Sequence, residues 1–189
     1  MTTTEAATAP AEEFIGRLEE LGHRDTARAD LARLRRCAGR PLSECPEAFQ
    51  LFYRLLPYPL RGRDRDEELY FLVATLFALN PRSSSARDFG ATMAALAVSR
   101  GAGREGIDRR MAVLLDAPLE DLGFRLRQLV TLAASSDIGV NWRTLLGDLL
   151  WWDHPARRVQ RRWARSYFGG GPSRAPQEAP STATIEPGE

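Results

Sequence analysis

An all-α protein is predicted by three features of this 189-residue chain. Leucine occurs 25 times, whereas isoleucine and valine together occur 10 times. Strands prefer β-branched residues, so that ratio favours helix. Apolar residues also recur at three- and four-residue spacing, as in Leu69, Leu72, Val73 and Leu76, which puts a stripe toward a core. No segment sustains the alternation of a half-buried strand. At 43% hydrophobic, the chain is able to bury such a core.

The elements follow in order, about nine helices near 12–21, 25–38, 46–57, 66–79, 88–99, 106–116, 118–135, 142–152 and 155–168. The first ten residues carry little apolar bulk and are expected to be flexible. Asp25 and Thr26 suit the start of a helix that stops at Gly39. Pro46 suits a first helical turn, and Phe49, Phe52, Tyr53 and Leu56 form the stripe behind it. Asp64 or Asp66 opens the next helix, which stops before Asn80-Pro81. Pro118 opens another, whose stripe is Leu119, Leu122, Leu126, Leu129, Val130 and Ala133. Asn141 is placed to cap a helix starting at Trp142. The loops 61–64, 80–85 and 100–106 are natural hinges. The last divides an N-terminal bundle, 11–100, from a C-terminal bundle, 101–168. From Gly169 the chain reads GGGPSRAPQEAPSTATIEPGE, which cannot offset its ordering entropy by burial, so 169–189 is expected to be a disordered tail.

Composition narrows the function. The net charge is +1, so any polyanion surface must come from segregated charge. Every basic side chain is an arginine, a planar fork that grips phosphate bidentately. Cys37 and Cys45 lack CxxC spacing and have only His23 and His154 as possible co-ligands, so no metal site is expected. No signal peptide is visible, and no apolar run approaches ~18 residues. The expectation is a cytoplasmic protein with no membrane partner.

All four tryptophans lie between Trp142 and Trp163, among arginines. Rings and guanidiniums together suit nucleic acid, yet they also compose ordinary helix cores and solvated faces. Projection at ~100° per residue separates them. Trp142, Leu145, Leu146, Leu149 and Trp152 share a stripe, and Trp163 lies with Val159 and Tyr167, so these rings point to a core. Trp151 is off the stripe and is the freest ring. Arg157, Arg158, Arg161, Arg162 and Arg165 fan over the opposite face, with no acid between Asp153 and the tail that begins at Gly169. A solvated face usually mixes signs, since like charges repel at i,i+4. The run therefore favours a polyanion or acidic-partner surface over a solubilising one. Weaker basic clusters are Arg33, Arg35 and Arg36, then Arg109 and Arg110, then Arg125 and Arg127. Asp121 is placed to pair with Arg125, while Arg127 has no acid three or four residues away.

Chemistry finds little support. GAGREG, 101–106, matches GxGxxG but follows a predicted helix rather than a strand, so it is no dinucleotide loop. His154 has only Asp153 as a nearby partner, and no pocket is expected around the two. No nucleophile elbow or carboxylate pair is recognisable. No enzyme activity and no cofactor are expected.

Several segments, taken in order, resemble the CasB family, the small subunit of type I-E CRISPR Cascade. They are LARLRRC, PEAFQLFYRLLP, LYFLVATLFALNP, IDRRMAVLL, FRLRQLVTLAASS and NWRTLLGDLLWWDHPARRVQRRWARSYF, spanning roughly residues 25–168. The most specific piece is the ending carried by Trp142, Leu145, Trp151, Trp152, Val159, Trp163, Ala164 and Arg165. The resemblance implies two helical bundles without catalytic activity. It also implies assembly as two head-to-tail copies beside the other Cascade subunits. In that setting the chain would line the path of the guide RNA and target DNA and help to hold the R-loop. The residues it assigns to nucleic acid are Arg35, Arg36, Arg109, Arg110, Arg127, Arg157, Arg158, Arg161 and Arg162. Contacts would be to the backbone, without sequence readout. The alternative left open by the residues alone is a helical adaptor whose arginine face meets an acidic protein.

Overall fold

A computed structural model of the chain describes residues 3–169, with side chains from residue 9 onward. Nine α-helices make up these residues: α1 Thr3–His23, α2 Arg28–Arg36, α3 Phe49–Leu55, α4 Asp64–Leu79, α5 Phe89–Arg100, α6 Arg104–Asp116, α7 Leu122–Ala134, α8 Trp142–Leu150 and α9 Arg158–Phe168. Short 3-10 turns lead into several of them, including Pro46–Ala48 before α3 and Leu119–Asp121 before α7. Among the described residues the sole β feature is one bridge, between Ser83 and Val140.

Each predicted helix is present, and the differences lie at the ends. α1 begins at Thr3, before the expected start at 12, and runs through Pro10. Residues 1 and 2 lie outside the described residues. The predicted tail lies outside them from residue 170 on. Asn141 caps α8 as expected, accepting from the Thr144 N–H, and Asp88 caps α5 by accepting from Ala91. α9 starts at Arg158 rather than 155, because Arg157 adopts a left-handed conformation, φ 47°, that no helix continues through. No described helix is long and apolar enough to cross a membrane.

α4 is the centre of the molecule. Its sequence pattern suggests a stripe, but every residue from Leu69 to Ala78 is buried. A helix apolar all round must be covered on all sides. α2, α7, α8 and α1 supply that cover. A second group forms where α5 packs against α9, α6 and α7. The main partners of α5 thus lie beyond a boundary at 100/101, and α8 reaches back to α1 and α4. One continuous core cluster runs through both groups.

The turn after α2 meets α7 at two glycines. Gly39, at φ +76°, sits so close to Gly123 that a Cβ on either would fall within 2.7–2.8 Å of the other's carbonyl oxygen. Only glycine tolerates both that backbone conformation and that approach.

Candidate nucleic-acid interface

α9 carries its buried face as Val159, Gln160, Trp163, Ser166 and Tyr167. It lies antiparallel to α6. Tyr167 donates to Asp108 Oδ1 at 2.6 Å at one end, and Arg157 reaches Asp116 and the Leu115 carbonyl at the other. Burial, with the bond to Asp108 adding to it, pushes the Tyr167 phenol above its usual range. The three buried indoles each donate to a partner. Trp142 donates to the Arg82 carbonyl, Trp152 to the Ala117 carbonyl and Trp163 to Asp148 Oδ2. Trp151 is 58% exposed, as the helical projection predicted.

A buried polar network locks α9 in place. Asp148 of α8 accepts from Trp163 at 2.6 Å and from Arg162. Asp88, fully buried at the head of α5, accepts from Ser166 at 2.6 Å, and Arg162 Nε approaches it at 3.9 Å. Burial raises the Asp148 carboxyl above its ordinary value, outweighing the Trp163 and Arg162 bonds that act against it.

This network corrects the picture of five unpartnered arginines on α9. Arg162 is held by Asp148 and Asp88, and Arg157 by Asp116 and the Leu115 carbonyl. All these acids lie far from the two arginines in sequence. Arg158 and Arg161 are exposed and have no acid or hydrogen-bond partner among the described residues, and Arg165 reaches only the Arg161 carbonyl. The free charge on α9 is therefore Arg158, Arg161 and Arg165.

The remaining sequence-predicted residues lie on α2, α7 and α6. Arg36 and Arg127 are exposed without partners among the described residues. The Arg127 Cβ lies 3.4 Å from the position a Cβ on Gly39 would take. Arg35 is partly spent on the Ala78 carbonyl at 3.0 Å. On α6, Arg109 is exposed and unpartnered, and Arg110 donates to the Gly106 carbonyl one turn back at 2.8 Å. α6 is thus the one of these helices that lies beside α9.

The region around His154 departs from expectation in one respect. Asp153 and His154 do line shallow clefts, of about 260 Å³ beside Trp152 and Gln160 and about 350 Å³ beside Leu150 and Trp151. They do not work as a pair there. Asp153 is bonded to Arg65 at 3.0 Å, and His154 Nδ1 accepts from the Ala156 N–H. The lining contains no serine, threonine, cysteine or lysine to act as a nucleophile. GAGREG follows helix α5 rather than a strand: its first three residues form a 3-10 turn, Gly101–Gly103, and the rest open α6.

What these elements define is an all-helical protein whose indoles build the core and whose free arginines stand on its surface. Comparison with known proteins gives that class a family. The family model for CRISPR-associated protein Cse2 matches residues 30–168, and the chain belongs to that family. It is 34% identical over 166 residues to the Cse2 protein of Thermus thermophilus, covering 87% of this chain and 93% of the relative. Among solved structures it is similar to a Cse2-family protein from the same organism, with a TM-score of 0.72 at 31% identity over 85% of this chain and 99% of that one. It is also similar to CasB of M. ruber, with a TM-score of 0.67 at 33% identity over 85% and 93%. A chain of a CRISPR RNA-guided surveillance complex, at 23% identity and TM-score 0.71, shares the fold over 86% of this chain and 93% of its own.

Proposed function

We propose that the chain is the non-catalytic small subunit of a type I-E Cascade surveillance complex in the cytoplasm. It lines the guide RNA–target DNA path and stabilises the R-loop through arginine contacts to the backbone. Its partners are the guide RNA, the target DNA, the other Cascade subunits and a second copy placed head to tail. The observation that carries the nucleic-acid part is the row Arg158, Arg161 and Arg165, exposed and without acids on a helix whose other face is locked by buried hydrogen bonds. R-loop formation exchanges duplexes of similar stability, so modest backbone contacts tip it. Contacts of that kind need spaced guanidiniums and no base-reading helix. Membership of the Cse2 family supports the complex in which they would act.

The test reverses Arg158, Arg161 and Arg165 to glutamate together. Arg157 and Arg162 are left intact because they carry structural bonds. The far-ultraviolet CD spectrum and co-purification with the complex should be retained, while R-loop formation weakens most at low salt. Unchanged target binding across salt concentrations would remove α9 from the interface. Binding of the isolated protein to an acidic protein, but not to the nucleic acid or the complex, would point to an adaptor instead.

A further inference from the structure

Beyond the helical arginines, Arg87 stands in the segment between α4 and α5. We propose that Arg87 is a further nucleic-acid backbone contact, standing on a different element beside the C-terminal end of α9. The inference rests on the reading of α9 as a nucleic-acid face.

Arg158, Arg162 and Ser166 are spaced i, i+4, i+8 and so share one side of α9. Arg87 joins that side at its C-terminal end, where its Nη2 donates to Ser166 Oγ at 3.2 Å. Arg87 Nε and Arg162 Nε approach the same oxygen, Asp88 Oδ2, at 4.0 and 3.9 Å. Asp88 is already occupied by the Ala91 N–H and by Ser166, so its hold on Arg87 is weak. The Arg87 side chain is 74% exposed, and apart from the bond to Ser166 and the long contact with Asp88 its guanidinium is unpartnered among the described residues.

Its base does not move freely. The segment before it is tied to the α7–α8 connection, with Val140 N–H donating to the Arg82 carbonyl and Ser84 N–H to the Val140 carbonyl. Asn141 Nδ2 donates to the Ala86 carbonyl, and the Trp142 indole to the Arg82 carbonyl. A guanidinium that is exposed, oriented at one N–H and mounted on a fixed backbone loses little entropy on meeting a phosphate. The chemistry it fits is a phosphodiester oxygen, gripped by the fork that Ser166 leaves free.

The experiment uses the complex reconstituted with guide RNA and a fluorescent target duplex, at several salt concentrations. Arg87→Ala, Arg87→Lys and the triple variant Arg158→Ala, Arg161→Ala, Arg165→Ala are compared with the parent. Arg87→Ala should weaken target binding about threefold to tenfold and lower the salt slope by about one, with Arg87→Lys between it and the parent. Unchanged binding by Arg87→Ala while the triple variant is weakened overturns the proposal and leaves the α9 reading standing. Weakening without a change of slope, or failure of Arg87→Ala to co-assemble, assigns the contact to a protein subunit and also overturns it. If neither variant weakens binding, the α9 reading falls and this inference with it.

Discussion

The Trp163 indole donates to Asp148 across 2.6 Å of buried space, joining α9 to α8 at the point where Arg162 also arrives. Removing the donor leaves a buried carboxylate with one partner fewer. Trp163→Phe should cost about 1–3 kcal/mol from the lost hydrogen bond alone. Urea unfolding monitored by CD checks this through a lower midpoint at unchanged slope.

The same carboxylate gives a pH dependence. Burial raises Asp148 above its ordinary value of 3.8, so the folded chain binds this proton more tightly than the unfolded chain. Its contribution favours folding at low pH and falls as pH rises from 3.8 through the raised value, beyond which it is constant. The unfolding free energy of the parent minus that of Asp148→Asn should therefore decrease over that window. A difference that rises with pH there would contradict the assignment.

Glycine positions separate by what surrounds them. In Gly123→Ala the new Cβ meets the Gly39 carbonyl oxygen at 2.8 Å, so backbone must move, at about 1–3 kcal/mol. At Gly147, inside α8, the place a Cβ would take has nothing within 4 Å of it. Gly147→Ala should stabilise by about 0.5–1 kcal/mol through helix propensity. Thermal denaturation of the two variants should show shifts of opposite sign.

Two tryptophans of one window are expected to behave differently. Trp142 is 1% exposed, and Trp142→Ala should cost about 3–5 kcal/mol. Trp151 is 58% exposed, and Trp151→Ala should change stability by about 0.5 kcal/mol or less. Chemical denaturation of both variants makes the comparison.

Much of this was legible in the sequence because the signals were local. The three-and-four spacing of apolar residues, with the caps and prolines between them, marked out the helices, and Asn141 announced a cap that α8 uses. The inward turn of Trp142, Trp152 and Trp163 followed from projection alone. The partition of the arginines was not legible. Arg162 finds Asp148 and Asp88, and Arg157 finds Asp116, through packing between helices distant in the chain. An i,i+4 search cannot see such pairs, just as it could not place Arg87 beside Ser166. α4 read as a one-sided stripe because Leu69, Leu72, Val73 and Leu76 satisfy the three-and-four spacing by themselves, although Tyr70, Phe71, Ala74, Thr75, Phe77 and Ala78 around the rest of the helix are buried too.

The unequal exposure of the indoles also gives the protein a built-in optical probe. Three of the rings are buried and should emit at shorter wavelength than an exposed ring. Trp151 alone emits from water and can be quenched, so replacing it by phenylalanine separates the core signal from the surface signal. Docking against that side of the molecule can then be followed by light, with no label attached.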